Sequence, residues 1–291
     1  MMKGIEKLKE KLPNYQGKRL SIIIIVVAIM FISSIAFQLI ADSLPRIFSS
    51  VAILQVIAPL TPIFGSLTII FIGFILVYSF WRNRDKYLNT YSELAYQKAF
   101  KFVITGIPMV ITVVIHSFFP TDFIIPYPNN QNLSWYLGTP ISDIIFGSSI
   151  IVIYIRIGLS IIFVGLGMAV VRKALMIFGI DYMGLVYIYY PEESTLQDHE
   201  IYSILRHPTY HTLMLFSIGS IFLRFSVYSL IYFLIFIIGI NIHLKYVEEK
   251  ELIQRFGEHY IKYKQNVPAF LVRFKDLKKY FSIIFRKTNT K

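Results

Sequence analysis

The chain has no cysteine among its 291 residues. Disulfide bonds, thiolate metal sites, cysteine nucleophiles and S-palmitoylation are therefore excluded from any account of its function. Charged residues are also scarce, at 16% of the chain, whereas hydrophobic residues reach 55%. Soluble proteins carry about 45–50% apolar residues even when glycine is counted. The composition therefore indicates an integral membrane protein.

Acidic residues are few compared with basic ones. The chain has 17 Asp and Glu against 29 Lys and Arg, which gives a formal net charge of +12. A basic protein can bind nucleic acid, but here the basic residues concentrate at the chain ends and between apolar runs. Membrane topology and anionic lipid explain that distribution. We therefore expect anionic membrane lipid as a partner, and no nucleic acid.

Six apolar runs can be drawn along the chain. They cover roughly residues 20–41, 60–80, 102–119, 144–171, 209–223 and 227–245. A helix needs about 20 residues to cross the hydrocarbon core, and the fifth run is shorter than that. The first run is too long for a typical signal peptide and is interpreted as an uncleaved anchor. The fold prediction is an all-α polytopic membrane protein with about six transmembrane helices, a C-terminal helical hairpin and a cytoplasmic tail.

The distribution of Lys and Arg predicts the topology. Basic residues cluster before the first run and between the second and third runs, whereas residues 41–50 contain only Arg46 and residues 120–143 contain no Lys or Arg. Cytoplasmic loops of membrane proteins carry the excess of positive charge. We therefore expect a multi-pass protein with both termini in the cytoplasm.

The character of the sequence changes near Arg172. Residues 1–171 hold four spans with few polar interruptions and are predicted to form an N-terminal transmembrane scaffold. Residues 172–291 are predicted to form the functional core, with a cytoplasmic loop, a helical hairpin over 208–247 and a cytoplasmic C-terminal segment. In the scaffold, Arg156 is expected to extend toward the membrane surface, and the glycines near it, Gly158, Gly165 and Gly167, suggest close helix packing.

The C-terminal tail has an amphipathic helical pattern. Its apolar residues recur at helical spacing, at Phe270, Phe274, Leu277, Phe281 and Ile284. Basic residues fall largely on the other faces of this helix, so the tail is predicted to lie along the membrane surface at the level of the lipid headgroups. The alternative is a helix that packs on the protein's own cytoplasmic loops.

The stretch "YSILRHPTYH" places Arg206, His207 and Pro208 where the fifth span begins. Proline suits the first turn of a helix, so the span is predicted to start at Pro208. Free backbone N–H groups and the helix dipole make a helix N-terminus attractive to anions. After the hairpin, Glu248 and Glu249 return to the same face, so cations and carboxylates are predicted to converge.

The first stretch, followed one hairpin later by "EEKELIQRFGEHYIKYKQNVP", resembles the integral-membrane methyltransferases, namely the isoprenylcysteine carboxyl methyltransferases and their phospholipid methyltransferase relatives. The family pattern is roughly G-x-Y-x-x-V-R-H-P-x-Y-x-G, a hairpin, then E-E-x-x-L-x-x-x-F-G-x-x-Y-x-x-Y-x-x-x-V-P. The matching residues are Tyr202, Arg206, His207, Pro208, Tyr210, Glu248, Glu249, Leu252, Phe256, Gly257, Tyr260, Tyr263 and Pro268. The resemblance covers about residues 172 to 270.

The resemblance implies an enzyme that depends on S-adenosylmethionine and needs no metal. By this resemblance the cofactor-binding residues are Tyr202, Leu205, His207, Pro208, Tyr210, Glu249 and Tyr260, and the catalytic residues are Arg206, Lys245 and Glu248. The sequence departs from the pattern at three positions. The first Gly is Glu200, the last is Thr212, and an Arg that many members place before the Glu pair is Leu244. Leu244 is flanked by His243 and Lys245, and the sequence leaves open which of these cations faces the substrate.

The resemblance also implies a lipophilic acceptor that enters from the bilayer. A prenylcysteine-type carboxylate is slightly favoured, because Arg206 and Lys245 would hold a carboxylate and its attack on a sulfonium needs no base. The alternative acceptor is a phospholipid amine, for which Glu248, Glu249 or His207 would accept the proton.

Two other functions compete with methyl transfer. A membrane reductase of the sterol C14-reductase type has a related helical core, but the cysteines of its R-D-E-x-x-C and K-Y-G-x-x-W-x-x-Y-C blocks are missing here and its Trp position is Tyr260. A small transporter without chemistry would more often show two related halves with broken spans, and no such symmetry is visible in the sequence.

Overall fold

The structure is a computed structural model and describes residues 3–127 and 132–286. Residues 1–2 and 287–291, which belong to the ends of the two predicted domains, lie outside the described part. Helices account for all the regular secondary structure in the described ranges. The predicted all-α class is confirmed.

Nine helices of eight residues or more carry the argument below. They are α1 (Leu20–Ile47), α2 (Thr61–Arg82), α3 (Ala95–His116), α4 (Ile150–Phe178), α5 (Pro208–Arg224), α6 (Val227–His243), α7 (Glu249–Phe256), α8 (Glu258–Asn266) and α9 (Leu277–Phe285). A further helix of this length, Arg84–Tyr91, leads into α3. Shorter α-helices cover Ile5–Glu10, Ala52–Ile57, Leu133–Gly138, Ile141–Phe146, Ile180–Met183 and Val186–Tyr189. Single 3-10 turns cover Pro13–Tyr15, Gly17–Arg19, Ser92–Leu94, Pro191–Glu193, Glu200–Ser203 and Phe274–Asp276, and a π-helical turn covers Leu244–Glu248.

Five helical stretches in the described residues are long and apolar enough to cross a membrane. They are Leu20–Ile47, Thr61–Arg82, Arg84–His116, Ile150–Phe178 and Val227–Phe256. The remaining predicted span, α5, has 17 residues, which gives a length of about 26 Å at 1.5 Å per residue. Helix α5 packs along α4 and also contacts α6. The chain is a polytopic membrane protein whose sixth hydrophobic helix is short and largely covered by its neighbours.

Helices α1, α2 and α3 pack on one another, and α4 pairs with α5, while α6 contacts both groups. Small residues permit the closest approaches: a Cβ added at Gly106 would lie 2.9 Å from the carbonyl oxygen of Gly73. On α4 only part of the expected packing is found. A Cβ at Gly167 would lie 2.7 Å from the Phe216 ring, but Gly158 and Gly165 have nothing within 4 Å.

Arg156 does not extend to the surface as predicted. Its guanidinium donates to the carbonyl oxygens of Leu223 and Arg224 and forms an ion pair with Asp143 at 3.4 Å. The last carbonyls of a helix have no partner within the helix. Arg156 therefore caps the C-terminal end of α5 from the neighbouring helix.

The C-terminal tail follows the alternative prediction. Helix α9 covers only Leu277–Phe285, and it buries Tyr280, Ile283 and Ile284 against the segment 201–205 and α4. Phe274, which belongs to the predicted apolar face, is 93% exposed. The tail therefore packs on the protein through a face that shares Ile284 with the predicted apolar face and also includes Tyr280 and Ile283.

The predicted boundary between residues 171 and 172 falls within α4. The division of the chain into scaffold and functional core stays a prediction, as does the cytoplasmic position of the termini.

Candidate functional site

The segment before α5 is held by the segment after α8. The backbone N–H of Arg206 donates to the carbonyl oxygen of Pro268 at 3.0 Å, and that of His207 donates to Ala269 at 2.8 Å. Helix α5 begins at Pro208, as predicted. Proline lacks an N–H and has a fixed φ, so it fits the first helical position. These two hydrogen bonds fix the side chains of Arg206 and His207 at the start of α5.

Glu248 and Glu249 return to the same place through an irregular turn. Helix α6 ends at His243, and a π-helical turn over Leu244–Glu248 joins it to α7. A π-helical turn contains more residues than an α-helical turn and therefore changes which side chains face a neighbouring helix; such turns are frequent at functional sites. The predicted convergence of His207 with the two glutamates is found.

Glu248 contacts three side chains. Its Oε1 lies 3.1 Å from Nδ1 of His207, and its Oε2 accepts a hydrogen bond of 2.7 Å from the hydroxyl of Tyr210. Nε2 of His243 lies 3.9 Å from Oε2. The carboxylate thus links the start of α5 to the end of α6.

Glu249 is buried and faces cations on two sides. Its Oε1 accepts a hydrogen bond from the guanidinium of Arg206, and its Oε2 lies 2.6 Å from Nζ of Lys264. A buried carboxylate is costly unless it is paired with a cation and hydrogen bonded. Glu249 has both kinds of contact and therefore acts as the structural centre of the cluster.

Both terminal nitrogens of the Arg206 guanidinium are engaged within the protein, whereas its Nε is buried without a hydrogen-bond partner in the described residues. Besides Glu249, its guanidinium donates to the carbonyl oxygens of Lys264, at 2.8 Å, and of Val267. These contacts join the start of α5, the start of α7 and the end of α8. Arg206 therefore organises the site, and its bonds leave little capacity to hold an anionic substrate.

His207 is buried, with 5% of its surface exposed. Burial lowers the pKa of His207, but the nearby carboxylates of Glu248 and Glu249 outweigh that effect, so the pKa is raised above its ordinary value. Its Nε2 lies 3.6 Å from Oε1 of Glu249, beyond normal hydrogen-bond length, and has no hydrogen-bond partner in the described chain. This nitrogen is available to a ligand.

The remaining predicted cofactor residues surround this cluster. Tyr202 stacks on Phe178 with ring centroids 4.5 Å apart, and its carbonyl oxygen accepts a hydrogen bond from Tyr263. Tyr260 is buried, and its hydroxyl lacks a hydrogen-bond partner among the described residues. Leu205 is fully buried in the apolar core that includes Tyr280. Tyr260 is the one of these three that offers a free polar atom.

Lys245 is not brought to the cluster. Its side chain is exposed, and its ammonium lies 5.3 Å from the ring centroid of Tyr246. The π-helical turn explains this position, because Lys245 and Glu248 belong to the same turn but project in different directions. A role for Lys245 in holding a substrate carboxylate finds no geometric support.

Of the two cations that flank Leu244 in the sequence, His243 is the one that reaches the cluster. Its ring stacks on Phe74 at 5.8 Å and meets Trp81 edge-on at 5.6 Å, so that aromatic residues of α2 join the site. The spacing of His243 and Glu248 is typical of neither an α-helix nor a strand, and only the π-helical turn brings the two residues together. Lys264 is a site residue that the sequence analysis did not identify, because no short sequence motif includes it.

The two departures from the family's glycines have structural explanations. Glu200 has φ +50°, a left-handed conformation that favours glycine. The backbone shape is thus retained without the glycine. Thr212 is buried and its hydroxyl donates to the carbonyl oxygens of Pro208 and Gly167. Its side chain therefore faces α4 and does not restrict the Glu248 cluster.

Part of the chain that contains this site matches a known protein family. Residues 155–259 match the family model for phospholipid methyltransferases, about a third of the chain, and the resemblance seen in the sequence is confirmed. No curated protein and no solved structure matches the chain. The match contains α5, α6 and both glutamates, and it supports membrane methyltransferase activity on a lipid-type acceptor.

Proposed function

We propose that this chain, an integral membrane protein whose residues 155–259 match the phospholipid methyltransferases, transfers a methyl group from S-adenosylmethionine to the amine of a lipid. The observation that carries the proposal is Glu248, held by His207 and Tyr210 and close to His243. Each step below rests on the contacts of this cluster.

The cluster has the groups that S-adenosylmethionine requires. The cofactor bears a sulfonium cation, which the carboxylates of Glu248 and Glu249 attract. Two buried polar atoms without hydrogen-bond partners in the described residues, Nε2 of His207 and the hydroxyl of Tyr260, are available to its polar groups. When bound, the cofactor supplies the methyl group, and the protein's part is to position the acceptor in line with it.

The charges of the cluster favour an amine acceptor over a carboxylate. Arg206 and Lys264 are both paired with Glu249, and Lys245 lies away from the cluster. A carboxylate acceptor would therefore approach two carboxylates whose neighbouring cations, including His207 beside Glu248, are already paired with them. An ammonium would instead gain attraction from Glu248. The prenylcysteine carboxylate favoured by the sequence is thus the second candidate.

An amine acceptor also needs a proton acceptor, because a protonated nitrogen has no lone pair. His243 meets the requirement, because a neutral imidazole is a stronger base than a carboxylate that His207 and Tyr210 hydrogen bond. Its Nε2 lies 3.9 Å from Oε2 of Glu248, so the carboxylate can hold the ammonium beside the imidazole and stabilise the imidazolium that forms. General-base catalysis contributes about 10²–10⁴-fold to a rate.

The rings of Phe74, Trp81 and Tyr210 surround His243. Aromatic faces attract organic cations and exclude water. These rings belong to α2 and α5, and α2 is long and apolar enough to cross a membrane and exposes apolar side chains on its outer face. A lipid can therefore place its amine at His243 while its tail stays in the membrane.

The test is methyl transfer by purified protein in detergent, with methyl-labelled S-adenosylmethionine and a lipid extract. Labelled lipid should form with the wild type, and Glu248→Gln should lower the rate at least about 100-fold. The matched control is Glu251→Gln, because Glu251 lies on the same helix but pairs with Arg255. That control should stay within about twofold of the wild type.

Three results would contradict the proposal. They are equal losses in both variants, no label transfer at all, and oxidation of NADPH in a parallel reaction. The last result would assign the chain to the membrane reductases.

A further inference from the structure

The opposite end of the helix bundle from Glu248 holds a second group of buried polar side chains. His116 ends α3, and its Nε2 lies 2.9 Å from Oδ2 of Asp42, near the end of α1. Nδ1 of His116 lies 3.4 Å from the hydroxyl of Ser66 on α2. Asp42 and His116 are 2% and 0% exposed. Ionisable groups buried among apolar spans are costly and often functional.

A cavity of about 340 Å³ adjoins this group. Asp42 lines it, and the second carboxylate oxygen, Oδ1, is buried without a hydrogen-bond partner in the described residues. The neutral polar residues along the wall include Gln55, Asn132 and Ser134. Ligand pockets of proteins span about 300–1,000 Å³, so the cavity has room for a small ligand.

Arg46 lines the same cavity, one helical turn after Asp42. Residues four apart on a helix share a face and commonly form ion pairs when their charges are opposite. Here Arg46 donates instead to the carbonyl oxygen of Thr121, and its guanidinium lies 4.3 Å from the ring centroid of Tyr127. Its Nε is buried and lacks a hydrogen-bond partner in the described chain. The carboxylate and the guanidinium thus each have an unused polar atom.

We propose that this cavity binds a small aminoalkyl phosphate, with its ammonium at Asp42 and its phosphate at Arg46. A ligand that carries both charges satisfies both unpaired groups, and its ammonium offsets part of the about 1.5–2 negative charges of a phosphate monoester. The two residues are about 6 Å apart along the helix axis, at 1.5 Å per residue. That separation suits charges divided by a short carbon chain better than those of an α-amino acid. Guanidinium groups bind phosphate well.

A further cation favours an anionic group at this end. Arg224 is buried at 5% exposure, and Nε, Nη1 and Nη2 of its guanidinium lack hydrogen-bond partners in the described residues. It lies 6.0 Å from the ring centroid of Tyr232, whose ring meets that of His116 edge-on. The site is separate from the Glu248 cluster, so the proposal does not depend on the methyl-transfer reaction.

The test is titration calorimetry of the full chain in detergent with phosphoethanolamine and, separately, with lysophosphatidylethanolamine. At least one of them should bind saturably. Binding of the soluble probe indicates a free solute as the ligand, and binding of the lysolipid alone indicates a lipid headgroup. Ethanolamine or inorganic phosphate alone should bind at least tenfold more weakly, because each satisfies one charge only.

Variants locate the binding. Asp42→Asn and Arg46→Gln should each weaken it at least tenfold. Asp143→Asn, a carboxylate paired with Arg156 outside the cavity lining, should leave it unchanged. A cooperative thermal unfolding transition in the Asp42 and Arg46 variants shows that they are folded; if folding fails at Asp42, the Arg46 variant decides alone. The proposal is overturned if neither probe binds or if both cavity variants bind the probe as tightly as the wild type. It is also overturned if ethanolamine or inorganic phosphate alone binds as tightly as the probe.

Discussion

At the scale of single residues, the site is a balanced set of charges in a buried position. Arg206 and Lys264 neutralise Glu249, while His207, Tyr210 and His243 surround Glu248. Removal of one partner from such a set leaves a charge without compensation, and the cost of that exceeds the net value of the pair. Conservative substitutions are therefore the informative ones.

His207 should make stability depend on pH. Its pKa is raised in the folded protein, relative to about 6.5 in the unfolded chain. The stabilisation is fully present below pH 6.5 and is lost as the pH rises through the raised folded value. Between pH 6 and pH 9 the melting temperature of the wild type should fall more than that of His207→Gln. Parallel curves for the two proteins would show that folding does not shift the pKa of His207.

The backbone conformation at position 200 should make glycine more stabilising there than a residue with a side chain. At φ +50° a side chain is strained, and the strain is of order 1 kcal/mol or more. Glu200→Gly should therefore be more stable than Glu200→Ala by about 1 kcal/mol. The same pair of substitutions at Glu192, where φ is not positive, should show the reverse order. Thermal unfolding in detergent measures both differences, and the same order at both positions would contradict the explanation.

At the scale of helices, the contact between α4 and α5 fixes the position of His207. Thr212 and Phe216 of α5 pack against Gly167 of α4. Because α5 is short and carries the RHP segment at its start, a shift of α5 moves the whole cluster. The functional end of the molecule thus depends on one close helix contact.

Gly167→Ala should destabilise the protein by about 1–3 kcal/mol, since a Cβ there would lie 2.7 Å from the Phe216 ring. The control on the same helix is Gly165→Ala, where the added Cβ meets nothing within 4 Å. That change should be neutral or stabilising by up to about 1 kcal/mol, through helix propensity. Thermal unfolding of the two variants checks the prediction, and a loss of the same size at Gly165 would show that the α4–α5 contact is not special.

The sequence predicted the elements better than their contacts. The start of α5 at Pro208 and the return of Glu248 to His207 followed from helix signals and hairpin length. The position of Lys245 could not be predicted in this way, because a π-helical turn has no clear sequence signature. The pairing of His116 with Asp42 was not predicted for a different reason: each is a lone polar residue in an apolar run, and they are 74 residues apart.

At the scale of the whole molecule, the chain places two polar sites at opposite ends of one apolar bundle. The Glu248 cluster lies at the end predicted to be cytoplasmic, and the cavity beside Asp42 lies at the other. Lys and Arg distribution alone supports that orientation. The proposed use of cytoplasmic S-adenosylmethionine by the Glu248 cluster depends on this orientation.

Topology can be measured with single cysteines, because the chain has none of its own. Glu192→Cys, at an exposed position after α4, should react with an impermeant reagent only from the cytoplasmic side. Ser50→Cys, exposed just after α1, should react only from the opposite side. The reverse pattern would overturn the orientation, and reaction of both from one side would overturn the number of spans between them.

The most direct test of amine methylation is the chemical bond that carries the transferred label. Purified wild-type protein is given methyl-labelled S-adenosylmethionine with equal amounts of phosphatidylethanolamine and a short prenylcysteine analogue. The account predicts label in phosphatidylethanolamine, stable to mild base and identified by mass spectrometry as an N-methyl group. Label released by base as methanol, with the mass of the methyl ester of the prenylcysteine analogue, would contradict it.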